Sequence, residues 1–289
     1  MVILSPSPTL RRQILVALVF ALVVAGCSSA PQITPTAINT PKPKTTFAIS
    51  GSSTALSVLQ ALQPAFEADN PGYALQILES TGNSGNSSAI TGIKDKTLDF
   101  GALTRDLTSD QKASGIGGVE FGRASIAAFV HPGVSITNLT GQQLIDIYAG
   151  RITNWSAVGG PDLPIVLYVR QADENVTVKL RDAFFGKTPF PSSAQLLTSS
   201  KDIVTAVSGT AGSIGYGGWP SVVAAQAPIK PVSLAGVAPT DSNYPVVNSL
   251  IVAYLNERQA DIRPLTDWLM SKKGQDVLVK LGVIPEATK

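Results

Sequence analysis

The sequence has 289 residues, 44% of them apolar and 15% charged, enough for one large two-lobed body or two small domains with real cores, with disorder confined to the ends. Lys and Arg number 22 against 20 Asp and Glu, a net charge of +2 that falls to zero if Arg11 and Arg12 leave with a leader. No run of basic residues makes a patch for nucleic acid, so that partner is excluded. One histidine, His131, and one cysteine, Cys27, cannot build a Cys/His zinc site, a disulfide or a Ser/His/Asp triad with any redundancy, and neither metal nor cofactor is expected. His131 precedes Pro132 at the end of an apolar strand and reads as a loop histidine.

Arg11 and Arg12 precede the apolar run Ile14 to Ala25, too short to span a bilayer of ~30 Å comfortably but suited to the core of a signal peptide. The run ends Val24-Ala25-Gly26-Cys27, which resembles a bacterial lipobox, in which the cysteine thiol receives diacylglycerol before cleavage. The alternative is an uncleaved anchor with an incidental buried cysteine. A single lipidated terminus tethers a protein without spanning the membrane. Residues 27–46 are rich in Ser, Pro and Thr, a composition that buries no core, and they read as a stalk.

In the body, Phe47 and Ile49 open an alternating strand that breaks at Gly51-Ser52-Ser53-Thr54. Val58, Leu59, Leu62 and Phe66 then recur at helical spacing. Pro64 within that helix predicts a kink or an early break. Leu75 and Ile77 mark a second strand, Thr81 to Ser88 a Gly/Ser/Asn loop, and Ala89 onward a short helix closing near Lys96. A third strand, Leu98 to Ala102, runs into Leu103-Thr104-Arg105. A buried strand over Ser125 to Val130 leads to Thr140-Gly141-Gln142-Gln143, whose capping-box spacing opens a helix with Leu144, Ile147 and Tyr148 on one face and Gly150 at its end. Further strands are predicted at Pro164 to Val169, Ser213 to Tyr216 and Ser249 to Leu255, with a terminal helix around Leu265, Trp268 and Leu269. Strands and helices alternating over such lengths predict an α/β fold.

Three loops, Gly51 to Thr54, Gly82 to Ser88 and Leu103 to Asp106, each follow a strand and consist largely of small hydroxyl or amide residues. Loops at the carboxyl ends of strands line the crevice of an open α/β sheet, where helix N-termini offer unpaired N–H groups. Such donors suit a small oxyanion, to which Arg105 or Arg170 could add a bidentate charged contact. Ordinary helix capping explains the same loops equally well.

These pieces, in this order, resemble the phosphate-binding proteins of bacterial ABC importers, the PstS-like branch of the type II periplasmic-binding-protein fold. The resemblance runs from about Ile49 to Pro285. It is carried by Gly51-Ser52-Ser53-Thr54, the Gly82 to Ser88 loop, Asp99 to Arg105 and Leu139-Thr140 to Ile147, and most specifically by Gly150-Arg151-Ile152-Thr153-Asn154-Trp155 through Gly159-Gly160 to Pro164-Ile165. Arg170, Gly212 to Tyr216, Tyr244-Pro245 and Ser271 to Gln275 ahead of Gly282 complete it. The resemblance implies a two-lobed α/β body with a central mixed sheet in each lobe. One lobe would hold 47–124 and 241–289, the other 125–240, after a leader over 1–26. It implies a monomer that delivers phosphate or a related oxyanion to ABC permease subunits from outside the cytoplasm, at the cell surface or in the periplasm, and makes or breaks no bond.

Carried over by position, the anion contacts fall on Ser53, Thr54, Ser84, Thr104 and Arg170. The Ser-Gly-Thr triplet that follows the arginine in the family is replaced by Glu174-Asn175-Val176, and Leu103 stands where the family usually places a serine. Either Glu174 turns outward and Thr177 fills in, or phosphate is held weakly, because a carboxylate facing the anion in a desolvated cleft costs several kcal/mol. Two other classes stay open: a signalling or adhesion module that kept the fold and lost the ligand, and an enzyme using Ser53 as nucleophile, for which no lysine base lies nearby in sequence. Gln142 and Trp155 read as structural. The leader predicts that the mature chain begins at a lipidated Cys27. Mass spectrometry of membrane-extracted protein should find a diacylated N-terminal cysteine, and an intact Met1, or normal processing of Cys27→Ala, would contradict it.

Overall fold

The computed structural model describes residues 43–79 and 85–286. The leader, Cys27 and Ser84 lie outside them. Strand β1 (Thr45–Gly51) buries Phe47 and Ile49 and passes through Ser52 into helix α1 (Ser53–Asp69), whose buried face carries Val58, Leu59, Leu62 and Phe66. The helix does not stop at Pro64. Proline leaves the carbonyl of Gln60 without its N–H donor, but Gln60 and Pro64 are both exposed, so water can take that donor's place.

Strand β2 (Tyr73–Ile77), helix α2 (Gly85–Lys94), strand β3 (Phe100–Leu103) and helix α3 (Ser109–Ala113) follow. β1 pairs in parallel with β2 on one side and β3 on the other. Next comes β4 (Ile116–Val130), a single strand of 15 residues where the sequence predicted a strand from Ser125 only. Its first half is Gly-rich and half-polar, a pattern that hides a strand from periodicity. That half pairs antiparallel with β10 (Val247–Leu255), with a bulge at Phe121 where the register shifts between Leu250 and Ile251. Its last five residues pair instead with β8 (Ser213–Gly218), and Ala128 to Val130 also with β9 (Lys230–Leu234). Strand order along the main path is β2-β1-β3-β10-β4-β8-β6-β7, with β6 at Val166–Val169 and β7 at Gln195–Leu196, so β4 is the one element common to both halves of the mixed sheet.

The apolar residues gather in two large clusters. One holds Phe47, Leu59, Phe66, Phe100 and Phe121 with Leu250, Trp268 and Leu278 from the chain's end. The other holds Ile126, Ile147, Tyr148, Trp155, Ile214 and Tyr216. Tyr148 packs edge-on against Tyr216, with ring centres 5.5 Å apart. Helix α4 (Gly141–Tyr148) begins with the reciprocal capping box that its sequence predicts, Thr140 Oγ1 accepting from the Gln143 N–H while Gln143 accepts from the Thr140 N–H. Gln142 donates to Asp146, and the His131 Nδ1 accepts from the Gly133 N–H, both local roles. Helices α8 (Gln259–Met270) and α9 (Lys272–Lys280) stand where one terminal helix was predicted, and Ser271 ends one and caps the other.

Trp155 is completely buried and its indole N–H donates to the Gly212 carbonyl at 2.8 Å. Trp155→Phe removes that bond, leaving the carbonyl only the Val166 N–H at 3.2 Å, and opens a void beside it, and the expected loss is about 1–3 kcal/mol in urea unfolding. A change within about 0.5 kcal/mol would contradict this reading of the second cluster.

Candidate functional site

Arg170 leaves the end of β6 and is only 5% exposed. Its backbone N–H donates to the Tyr216 hydroxyl at 3.0 Å, and that hydroxyl lies 2.8 Å from Thr177 Oγ1. Burial raises the Tyr216 pKa above its ordinary value, against smaller lowering effects of the Thr177 and Arg170 hydrogen bonds, so the phenol is neutral and can accept and donate at once. The guanidinium Nη1 donates to Ser200 Oγ at 3.1 Å and Nη2 to the Thr198 carbonyl at 3.0 Å, and Nη2 forms an ion pair with Glu174 Oε1 at 2.9 Å. Its Nε–H is buried and has no hydrogen-bond partner. A guanidinium this deeply buried requires a counter-charge. Glu174 supplies it, so the carboxylate turns inward, not outward.

The first loop reaches this cluster through Ser53, whose Oγ is 3.3 Å from Ser200 Oγ. Thr54 is buried against Gly218, where a Cβ would come within 2.4 Å of its side chain, so that strand end must be glycine for the two to meet. Ser52, at the N-cap of α1, makes no side-chain cap bond. Its hydroxyl instead accepts from Thr104 Oγ1 at 2.9 Å, leaving the N–H groups of the first turn of α1 without that partner. Thr104 is also buried and is held by Asn86, which accepts from its N–H at 2.9 Å. Asn175, the first residue of α5 (Asn175–Leu180), donates to the Thr104 carbonyl and to Asn248 Oδ1, each at 3.0 Å.

Ser53, Thr104 and Arg170 are thus drawn into one hydrogen-bonded neighbourhood, with Thr54 packed beside it. Ser84 falls outside the described residues, although its neighbour Gly85 approaches the end of β1 so closely that a Cβ would sit 2.3 Å from the Gly51 carbonyl. Thr177 does not fill in for the missing triplet. It has no exposed surface, and its hydroxyl is engaged with Tyr216 behind the arginine. Arg105 is the guanidinium that does not join: it donates to the Asp106 carbonyl and Gln111.

Sequence reasoning missed Ser200, Asn86, Asn175 and the Tyr216 hydroxyl. Asn86 lay in the Gly82 to Ser88 loop and Asn175 in the altered triplet, and Ser200 left its own signal, the Thr198-Ser199-Ser200 run of hydroxyls opening α6 (Ser200–Gly209). Among the described residues no group of three or more His, Cys, Asp or Glu could hold a metal ion, and no helix is long and apolar enough to cross a membrane. Surface concavities of about 310 Å³ at Asp106, Lys112 and Glu120 and about 520 Å³ at Lys94, Lys96 and Glu257 are not lined by Ser53, Thr104 or Arg170. The Arg170 neighbourhood therefore offers hydroxyl and amide donors around one buried positive charge, a set suited to holding an anion.

Residues 36–273 match the family model of a PBP superfamily domain. Among curated proteins, the phosphate-binding protein PstS of Borreliella burgdorferi is 25% identical over 214 residues, covering 69% of this chain and 77% of that protein. The phosphate-binding protein PstS of Bacillus subtilis is 24% identical over 282 residues, 92% of this chain and 90% of that one. Among solved structures, a phosphate ABC transporter substrate-binding protein with bound phosphate from Clostridium perfringens superposes with a TM-score of 0.70 at 27% identity, over 84% of this chain and all of that one. An ABC-type phosphate transport receptor from Vibrio cholerae, 21% identical with a TM-score of 0.59 over 83% of this chain, shares the fold.

Proposed function

The chain belongs to the PBP superfamily and has the mixed α/β fold of type II periplasmic binding proteins, and from that premise we propose that it is the solute-binding component of an ABC importer for phosphate or a related small oxyanion. It works outside the cytoplasm, tethered by lipid on Cys27, binds as a monomer, and hands its solute to permease subunits without chemical change. Two relatives along most of its length are phosphate-binding proteins, which supports this reading.

The observation that carries it is Arg170: a guanidinium 5% exposed, with an unpartnered Nε–H, bonded to the Ser200 hydroxyl that Ser53 also meets. Burying an arginine costs several kcal/mol unless something repays it, and an anion held there would do so. Ser53, Thr54, Thr104 and Arg170 form the site, Ser84 adds the α2 loop, and Thr177 supports Arg170 through Tyr216. The lobes we propose are 47–124 with 241–289, and 125–240. The two apolar clusters support this division in outline, because one draws on both ends of the folded chain and the other on its middle, with Tyr244 and Val246 packing in the second cluster. Ser53 bonded to Ser200, and Asn175 bonded to Thr104 and Asn248, are then contacts across the interlobe cleft that must part for solute to enter.

A second reading, a signalling or adhesion module that no longer takes up solute, is favoured by one contact. The Glu174 carboxylate already sits 2.9 Å from Arg170, where an anion would compete with it. Calorimetry with phosphate, sulfate, molybdate and a neutral sugar separates the two. We expect phosphate to bind the natural chain weakly, Glu174→Ser to bind it at least ~10-fold tighter because the internal competitor is gone, and Arg170→Ala not to bind it at all. No anion binding by either the natural chain or Glu174→Ser would favour the second reading. Binding that survives Arg170→Ala would remove the site altogether.

A further inference from the structure

We infer that Ser200, at the first turn of α6, is a direct ligand of the bound anion and supplies the hydroxyl that position 174 no longer offers. This rests on the oxyanion reading above and names a residue outside the family positions carried over to this chain.

Three observations converge on Ser200. It is the first residue of a ten-residue helix, preceded by the N-cap Ser199, whose side chain accepts from the Asp202 N–H. Its hydroxyl, on a residue only 3% exposed, is the atom at which two distant segments meet: Ser53 Oγ from the start of α1 at 3.3 Å and Arg170 Nη1 at 3.1 Å. The third observation is the unpartnered, buried Nε–H of that same arginine.

Electrostatics gives this arrangement a direction. A helix N-terminus carries a partial positive charge, so a guanidinium placed against it is repelled unless an anion sits between or beside them. Here the start of α6 meets one buried arginine through Ser200, and the start of α1 meets the same Ser200 through Ser53. The acidic groups at hand are Glu174, bonded to Nη2, and Asp202, which accepts from Thr198 and lies in the exposed first turn of α6. One internal carboxylate therefore answers three positive features, while the serine hydroxyl in their midst can donate to an incoming oxygen by rotating away from its present partners. A serine that served only to cap α6 would bond its own first turn, and Ser199 already fills that role.

The test is a set of phosphate titrations of the full mature chain: natural sequence, Ser200→Ala, Glu174→Ser and the double variant, with thermal unfolding of each in the absence of phosphate to verify folding. We expect Ser200→Ala to weaken phosphate about tenfold in the natural background and less than about threefold beside Glu174→Ser, whose new hydroxyl lies near Arg170 and substitutes for the lost donor. Phosphate bound by the natural chain with affinity unchanged in Ser200→Ala would overturn this inference alone. Equal losses in both backgrounds would also overturn it, by making Ser200 a prop for Arg170 instead of a ligand. If none of the four proteins binds phosphate, the oxyanion reading falls and takes this inference with it. Should Ser200→Ala fail to fold, Ser200→Thr, which keeps the hydroxyl, must retain binding within about threefold, and its loss would count against the inference equally.

Discussion

A charged guanidinium almost fully removed from water is the constraint around which the middle of this molecule is arranged. The buried guanidinium charge of Arg170 must be met by neighbours with fixed geometry. The backbone N–H is fixed by Tyr216, Tyr216 by Thr177, and the side chain by Ser200, the Thr198 carbonyl and Glu174. The partners come from β8, from α5 and its N-cap, and from the start of α6, so the set closes only if β6, β8, α5 and α6 are packed together correctly. The arginine therefore ties these four elements together through one set of contacts. Removing Glu174 should stabilise the anion complex and destabilise the free protein, since a buried charge without its partner costs about 3–5 kcal/mol.

The long strand β4 lets that arrangement belong to two cores at once. Its first half completes the sheet that buries Phe47, Phe100 and Leu250, and its second half lies against β8 in the cluster of Ile126, Tyr148 and Tyr216. A bulge at Phe121 breaks the ladder to β10 before the strand changes partners. Bulges increase local twist, and a strand that serves two sheets in succession needs such a reorientation. The polar contacts at Ser53, Thr104 and Asn175 join residues on either side of this strand. Hydrogen bonds of this kind are worth about 1 kcal/mol each.

Much of the fold was legible because it is written locally. The Thr140 and Gln143 pair specifies a helix start by its own chemistry, and strand-to-loop exits at Gly51 and Leu103 follow from short apolar runs ending in small polar residues. What depends on distant partners was not legible. Nothing in Ile116 to Ala124 shows that a strand continues there, because its pairing with β10 is set more than a hundred residues later. The direction of Glu174 likewise depends on Arg170 being buried, a fact of packing and not of spacing. Thr177 was named as a replacement donor on spacing alone, whereas its buried place behind Tyr216 gives its hydroxyl another partner. Pro64 was read as a breaker because solvent exposure of the orphaned carbonyl is invisible in a sequence.

The central claim is that an anion and the Glu174 carboxylate compete for Arg170. A crystal structure of the protein grown with phosphate tests it most directly. The account predicts a phosphate oxygen within hydrogen-bond distance of the Arg170 guanidinium and of the hydroxyls near it, with Glu174 moved off its present 2.9 Å contact. Phosphate seated elsewhere, with the Arg170 and Glu174 pair intact, would contradict it.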